Sequence, residues 1–177
     1  MATHRAPARS FSTSVDIPAE RRAKINKVLN QHLADSFDLL SQVKQAHWNV
    51  KGSDFWQLHK LFDELAERVE EWVDEFAERV TALGGYANGT ARMAAASSTL
   101  PEFPTDITDG MDYVKAVVAR VAAFTNSARA AIDEADKLGD ANTADLFTEI
   151  SRCADKYLYF LEAHLQDQRS HGQQSTR

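Results

Sequence analysis

Apolar side chains recur at intervals of three and four along four stretches of this chain, and no stretch keeps the two-residue alternation of a strand. The first stretch carries Ile25, Val28, Leu29, His32, Leu33, Ser36, Phe37, Leu40, Val43 and Lys44, and predicts a helix from Pro18 to about Trp48. Pro18 suits a first helical turn, with Asp16 placed to cap it. Gly52 interrupts the pattern. Ser53 or Asp54 can then cap a second helix whose stripe is Phe55, Leu58, Phe62, Leu65, Val69, Trp72, Val73, Phe76 and Val80, ending at Gly84 and Gly85. A third helix is predicted from about Asp109 to Leu138, with Met111, Val114, Val117, Val118, Val121, Phe124, Ala128, Ala131 and Ile132 on one side. Gly139 ends it. The fourth, from about Asn142 to Asp167, carries Leu146, Ile150, Cys153, Tyr157, Phe160, Leu161, His164 and Leu165.

Between the second and third helices, TARMAAAS suggests a short helix, and Pro101 and Pro104 suggest an extended connection. Four long amphipathic helices with one long link in the middle predict an all-α four-helix bundle. The central crossover favours the ferritin-like arrangement over a plain up-down-up-down bundle. Residues 1–16 read as a mobile basic tail, 17–168 as the bundle, and 169–177 as a second tail.

Composition narrows the setting. Of the 177 residues, 44% are apolar and 26% charged, a balance that suits one soluble domain able to bury its own core. The single cysteine, Cys153, excludes an internal disulfide. No run approaches the roughly 20 apolar residues of a membrane span, and the first residues lack an apolar leader, so a cytoplasmic protein with no membrane partner is expected. The net charge of −6 argues against a body built to attract nucleic acid, although Arg5 and Arg9 lie in a segment free of acids.

The candidate chemistry concentrates in HWNVKGSDFWQLHKLFD, residues 47–63, where His47, His59 and Asp63 sit among Trp48, Phe55, Trp56 and Phe62. At about 100° per residue, Asp63, Asp74 and Glu78 all fall within about 100° of His59 on the second helix. His59/Asp63 and Asp74/Glu78 are each four apart, so each pair can point at one ion. A wet acidic surface explains the same spacing, and Lys60, Glu67 and Glu71 support that reading. Trp56 opposes it, because its indole falls inside the stripe and needs a covering surface. His47 arrives nearby from the preceding helix. Asp63 and Asp74 are about 16 Å apart along a straight helix, and bonds from a metal to oxygen or nitrogen are near 2 Å. If all five groups serve one site, a second copy must close it. An antiparallel two-fold pairing would set His59 and Asp63 of one copy against Asp74 and Glu78 of the other and cover Trp56. No Glu-x-x-His motif occurs, so a di-iron centre inside one bundle is not expected.

Residues 45–80, QAHWNVKGSDFWQLHKLFDELAERVEEWVDEFAERV, resemble the ferroxidase signature of the Dps family, the starvation-induced mini-ferritins. The shared elements are a His-Trp pair, a following glycine, Leu-His-x-x-x-Asp and Asp-x-x-x-Glu-Arg, and the helix layout matches over about 17–168. The resemblance implies a hollow homododecamer that oxidises Fe(II), preferably with hydrogen peroxide rather than oxygen, and stores ferric mineral. It implies His47, His59 and Asp63 as ligands from one subunit and Asp74 and Glu78 from its partner, with Trp48 beside the iron. Imidazoles and carboxylates suit iron, and Zn(II) is able to substitute at the same site. Trp48 could intercept a stray one-electron hole or simply pack.

In Dps-like cages the turn between the last two helices lines an acidic pore. Asp136, Asp140, Asp145 and Glu149 are therefore expected around an ion entry route, with Asp136 and Asp145 the best matches. Asp140 or Asn142 capping the fourth helix explains part of the same pattern. Arg5 and Arg9 are the candidate DNA contacts. The acidic body opposes them, so DNA binding and a place on the nucleoid rest on this tail and should fade in modest salt. A nucleoid-coating protein whose metal site only staples dimers is the alternative. His32 and His164 fit core or interface positions, and Cys153 a small buried hydrophobe.

Overall fold

Proline and glycine set the ends of the helices. The computed structural model describes residues 9–166. Helix α1 spans Ala19–Asn49, α2 Phe55–Ala82, α3 Ala91–Ser97, α4 Gly110–Lys137 and α5 Ala141–Gln166. The four long helices lie within a residue or two of their expected bounds, and the short one falls on TARMAAAS. No strand forms among the described residues. No described helix is long and apolar enough to cross a membrane.

α1 packs along α2, and α4 along α5, so the bundle is two hairpins joined by the crossover from Leu83 to Asp109. The core holds Leu29, Leu33 and Leu39 of α1, Leu58, Phe62 and Phe76 of α2, Val114 and Phe124 of α4, and Phe147 and Ile150 of α5, all at most 1% exposed. The crossover is tied to α1 by side chains. Asp35 accepts from Thr99 N (2.7 Å) and from Ser98 Oγ (3.2 Å), and Gln42 donates to the Pro101 carbonyl (3.1 Å). Arg120 of α4 donates to Gln42 at 3.0 Å and to the Glu102 carbonyl.

Several local expectations need correction. Asp16 does not cap α1; Pro18 occupies that position, and its carbonyl accepts from Arg21 N and Arg22 N. Asp54 is the residue before α2, but neither it nor Ser53 makes a side-chain cap; the Ser53 hydroxyl donates to Asp54 instead. Leu39, rather than Leu40, is the fully buried leucine of its pair, because α1 packs against α2, α3 and α4 and needs a broad apolar face. The inner part of the expected tail is also held. Phe11 N donates to Gly84 O (2.8 Å), Thr13 Oγ1 donates to Ala82 O (3.2 Å), and Arg22 donates to Val15 O and Ile17 O. Nothing in the polar composition of that segment signalled this.

Gly84 makes the attachment possible. Its φ is +76°, and a Cβ there would lie 2.5 Å from the Phe11 carbonyl oxygen. Gly84→Ala is expected to cost about 2 kcal/mol and to lower the thermal midpoint by about 4–8 °C. Gly89→Ala, where a Cβ meets only Leu33 at ordinary distance, should stay within about 1 °C of wild type by calorimetry.

Candidate metal centre

The α1–α2 turn carries the chain back on itself, so that the last turn of α1 faces the first turns of α2. Val50 N closes α1 by donating to Ala46 O, and Gly52, with φ +109°, reverses the chain. His47 and His59 then meet. Their rings stack with centroids 3.8 Å apart and planes 20° from parallel. The Nδ1–H of His47 donates to the His59 carbonyl (2.8 Å), and the Nδ1–H of His59 donates to the His47 carbonyl (2.9 Å).

This reciprocal pairing decides what the rings can do. A carbonyl can only accept, so each Nδ1 carries its proton and each neutral ring keeps its lone pair at Nε2. That is the arrangement in which an imidazole ligand is held by an outer hydrogen bond and offers its other nitrogen to a cation. His47 is 8% exposed and His59 half-buried, so the pair lies at the surface of the bundle rather than inside it.

Asp63, one turn after His59, sits beside them with Oδ1 3.7 Å from His47 Nδ1. Lys44 Nζ donates to the same Oδ1 at 2.8 Å, and this hydrogen bond holds the Asp63 carboxyl below the usual carboxylate range. By sequence pattern Lys44 falls in the apolar stripe of α1. Its spacing, three residues before His47, was the signal that it belongs with the histidines.

Asp74 and Glu78 are exposed on the same helix, and no side-chain hydrogen bond or ion pair engages either among the described residues. Within one chain the described residues contain no cluster of three or more His, Cys, Asp or Glu able to hold a metal. His47 meets both the His59 ring and the Asp63 carboxylate, but the three do not make such a cluster on their own, and Asp74 and Glu78 are not joined to them. Around the stripe, Trp48 is 61% exposed, Trp56 64% and Phe55 36%. Lys60 lies 5.3 Å from the Trp56 ring and Lys51 5.7 Å from the Phe55 ring. Three large aromatics in water around a half-set of ligands is an unusual concentration of apolar surface for a finished monomer.

Comparison with known proteins places the chain. The Ferritin-like domain family model matches residues 26–170. The DNA protection during starvation protein of Agrobacterium fabrum is 40% identical over 159 residues, covering 90% of this chain and 98% of its own. This chain belongs to the Dps family. Solved Dps structures share its shape: DpsC from Streptomyces coelicolor superposes with a TM-score of 0.84 at 29% identity, covering 89% of this chain and 92% of its own. The archaeal Dps homologue from Halobacterium salinarum also gives 0.84, at 30% identity, covering 93% of this chain and 91% of its own.

The α4–α5 turn of this Dps-family chain separates the four acids expected near an entry pore. Asp136 and Asp145 are exposed beside the turn. Asp140 is not available to a pore: it is 2% exposed and caps α5. Its Oδ1 accepts from Thr143 N (3.0 Å) and from Arg79 Nη2 (2.7 Å), and its Oδ2 accepts from Thr143 Oγ1 (2.5 Å). Burial pushes the Asp140 carboxyl up, but the bonds from Thr143 and Arg79 outweigh it and hold the group below its ordinary value. Glu149 is exposed farther along α5, where its charge bears on α2. Burial, Glu149, Glu71 and Asp74 together raise the Glu75 carboxyl. Of the candidate DNA contacts, Arg9 is exposed at the start of the described residues and Arg5 lies outside them.

Proposed function

We propose that this Dps-family chain oxidises Fe(II), with hydrogen peroxide in preference to oxygen, at sites completed by two-fold pairing of two copies. The ferric product is stored inside a cytoplasmic dodecameric cage, which protects DNA from oxidative damage. The observation that carries this reading is the half-site: two imidazoles locked through Nδ1, with Asp63 against His47, and two carboxylates on the same helix that engage no side chain among the described residues and are too distant to join them within one chain.

In this reading His47, His59 and Asp63 of one copy and Asp74 and Glu78 of a second copy bind the ferrous substrate. The donor set is hard and nitrogenous, without thiolate, so it favours ferric over ferrous ion and resists its own oxidation; Zn(II) fits the same donors and would compete. Lys44 keeps Asp63 ionised and turned towards His47. Two ferrous ions each give one electron to one peroxide. Its O–O bond breaks, two protons are taken up, and two waters form in place of a hydroxyl radical. Trp48, exposed and next in sequence to His47, quenches a stray one-electron hole in this reading. Asp136 and Asp145 draw cations towards the cage interior.

Anaerobic stopped-flow mixing with peroxide tests the chemistry. The expected result is one peroxide consumed per two Fe(II), with no hydroxyl radical trapped. Oxidation no faster than in buffer would leave the nucleoid-coating alternative in its place. DNA contact is a separate matter of Arg5 and Arg9. A gel shift should retard DNA at low salt, weaken when residues 1–9 are removed, and vanish by about 200 mM salt. Equal retardation without residues 1–9 would remove the arginines from the account.

A further inference from the structure

His32 stands apart from this chemistry, in the seam between the two hairpins. It is 4% exposed and lies against rings from three other helices, with centroids 4.7 Å from Phe147, 5.8 Å from Phe76 and 6.3 Å from Phe124. Its Nδ1–H donates to the Val28 carbonyl (2.9 Å), and its Nε2 accepts from the Ser127 hydroxyl (3.1 Å). The neutral ring is therefore fully satisfied.

The side-chain hydrogen bonds joining hairpin α1–α2 to the α4–α5 hairpin and its turn, among the described residues, form four links. Arg79 reaches Asp140 and Thr143, Arg120 reaches Gln42, Tyr157 reaches the Glu64 carbonyl, and Ser127 reaches His32. Only the last contains a group whose ordinary titration falls between pH 5 and 8. We propose that His32 is an acid-sensitive latch: when the hairpins part, its ring takes up a proton that the closed bundle does not accommodate, so acidification populates the open state.

The closed state disfavours the charged ring for reasons visible around it. Protonation turns Nε2 from acceptor to donor, so Ser127 must reverse its bond, and it places a positive charge against three phenylalanines. Burial pushes the imidazole below its ordinary value of 6.5, although the Val28 carbonyl, Asp35 on α1, the Ser127 contact and Glu134 on α4 pull the other way. Asp35 is already occupied by Thr99 and Ser98; from α2 and α5 the rings of Phe76 and Phe147 pack against the imidazole, and the acids that bear on it are Asp35 and Glu134. The sign follows. The open state binds more protons than the closed one below pH 6.5, so closure weakens as pH falls through that value and is insensitive above it. If the closed ring stays neutral, the opening equilibrium at pH 5 exceeds its value at neutral pH by about thirtyfold.

Hydrogen–deuterium exchange on the assembled full-length protein measures this, with rates corrected for intrinsic exchange at each pH. Between pH 7.5 and 5.0, peptides covering Val28–Ser36 and Phe124–Ala131 should open more in wild type, by up to about thirtyfold with an onset near pH 6.5. In His32→Gln, or in His32→Leu should the glutamine variant not assemble, the same peptides should change by less than about threefold. A rise of equal size in the variants overturns the latch. So does a wild type whose α1 and α4 peptides show no such rise, a result that stands whether or not either variant folds.

Discussion

Replacing Asp74 and Glu78 together by alanine is expected to lower the rate of peroxide-driven Fe(II) oxidation by at least about a hundredfold, while the protein still assembles and melts within about 1 °C of wild type. Both side chains are exposed and engage no partner among the described residues, so the fold should lose little when they go. The proposed site loses two of its five ligands. Mutating even a supporting residue around a metal typically costs tenfold to a hundredfold in affinity or activity, and these are ligands themselves. His59→Ala should also abolish the activity. It additionally removes the ring stacked on His47 and one of the two hydrogen bonds that lock the pair, so its effect on stability should be larger. Stopped-flow kinetics with a parallel melting curve separates the two effects. A double variant that oxidises iron at the wild-type rate removes Asp74 and Glu78 from the chemistry.

The largest effect on stability should come from Arg79→Ala. Arg79 reaches from the end of α2 to the turn between α4 and α5, where Nη2 meets Asp140 at 2.7 Å and Nε donates to Thr143 Oγ1 at 2.9 Å. Asp140 is almost wholly buried, so removing the guanidinium leaves a carboxylate with the Thr143 bonds but no counter-charge. Breaking a buried pair from one side costs about 3–5 kcal/mol, against about 0–1 kcal/mol for an exposed pair. Arg129→Ala is the matched control, because its pair with Asp155 is about half exposed on both sides. The gap between Arg79→Ala and wild type should narrow as the pH falls towards 4. The orphaned carboxylate can then be neutralised by a proton, whereas in wild type Arg79 and Thr143 keep it ionised into stronger acid. Calorimetry across that range decides, and a loss no larger than that of Arg129→Ala would show that the tie does not hold the turn.

The fold was legible because the helices are long and the breakers sit where the turns are. Gly52, Gly84 and Gly139 all adopt positive φ at the ends that the sequence marked. The polar details were less legible, because they depend on which groups meet across helices. Asp140 reads equally well as a pore acid or a cap, and its ion pair cannot be read at all until Arg79, sixty-one residues earlier, is seen beside it. Lys44 and Asp63 are likewise nineteen residues apart and pair only because the α1–α2 turn folds them together. Phe11, in a segment with no periodicity, is held by a backbone hydrogen bond, which side-chain patterns do not encode. The metal stripe was legible in part. Helical spacing grouped His59 with Asp63 and Asp74 with Glu78, and rise per residue separated the two pairs, but the lock between His47 and His59 required the folded turn.

Whether one chain or two make the site is the central question, and subunit mixing answers it. Two variants are needed, His59→Ala/Asp63→Ala and Asp74→Ala/Glu78→Ala, each expected to be inactive alone. Unfolded together in equal amounts and refolded, they should pair at random. Each mixed dimer then rebuilds one site from intact histidine and aspartate on one chain and intact carboxylates on the other, so about a quarter of wild-type ferroxidase activity should return. Mixtures that remain as inactive as their parents, although mass spectrometry shows mixed dimers, would place all the ligands within a single chain and contradict the account.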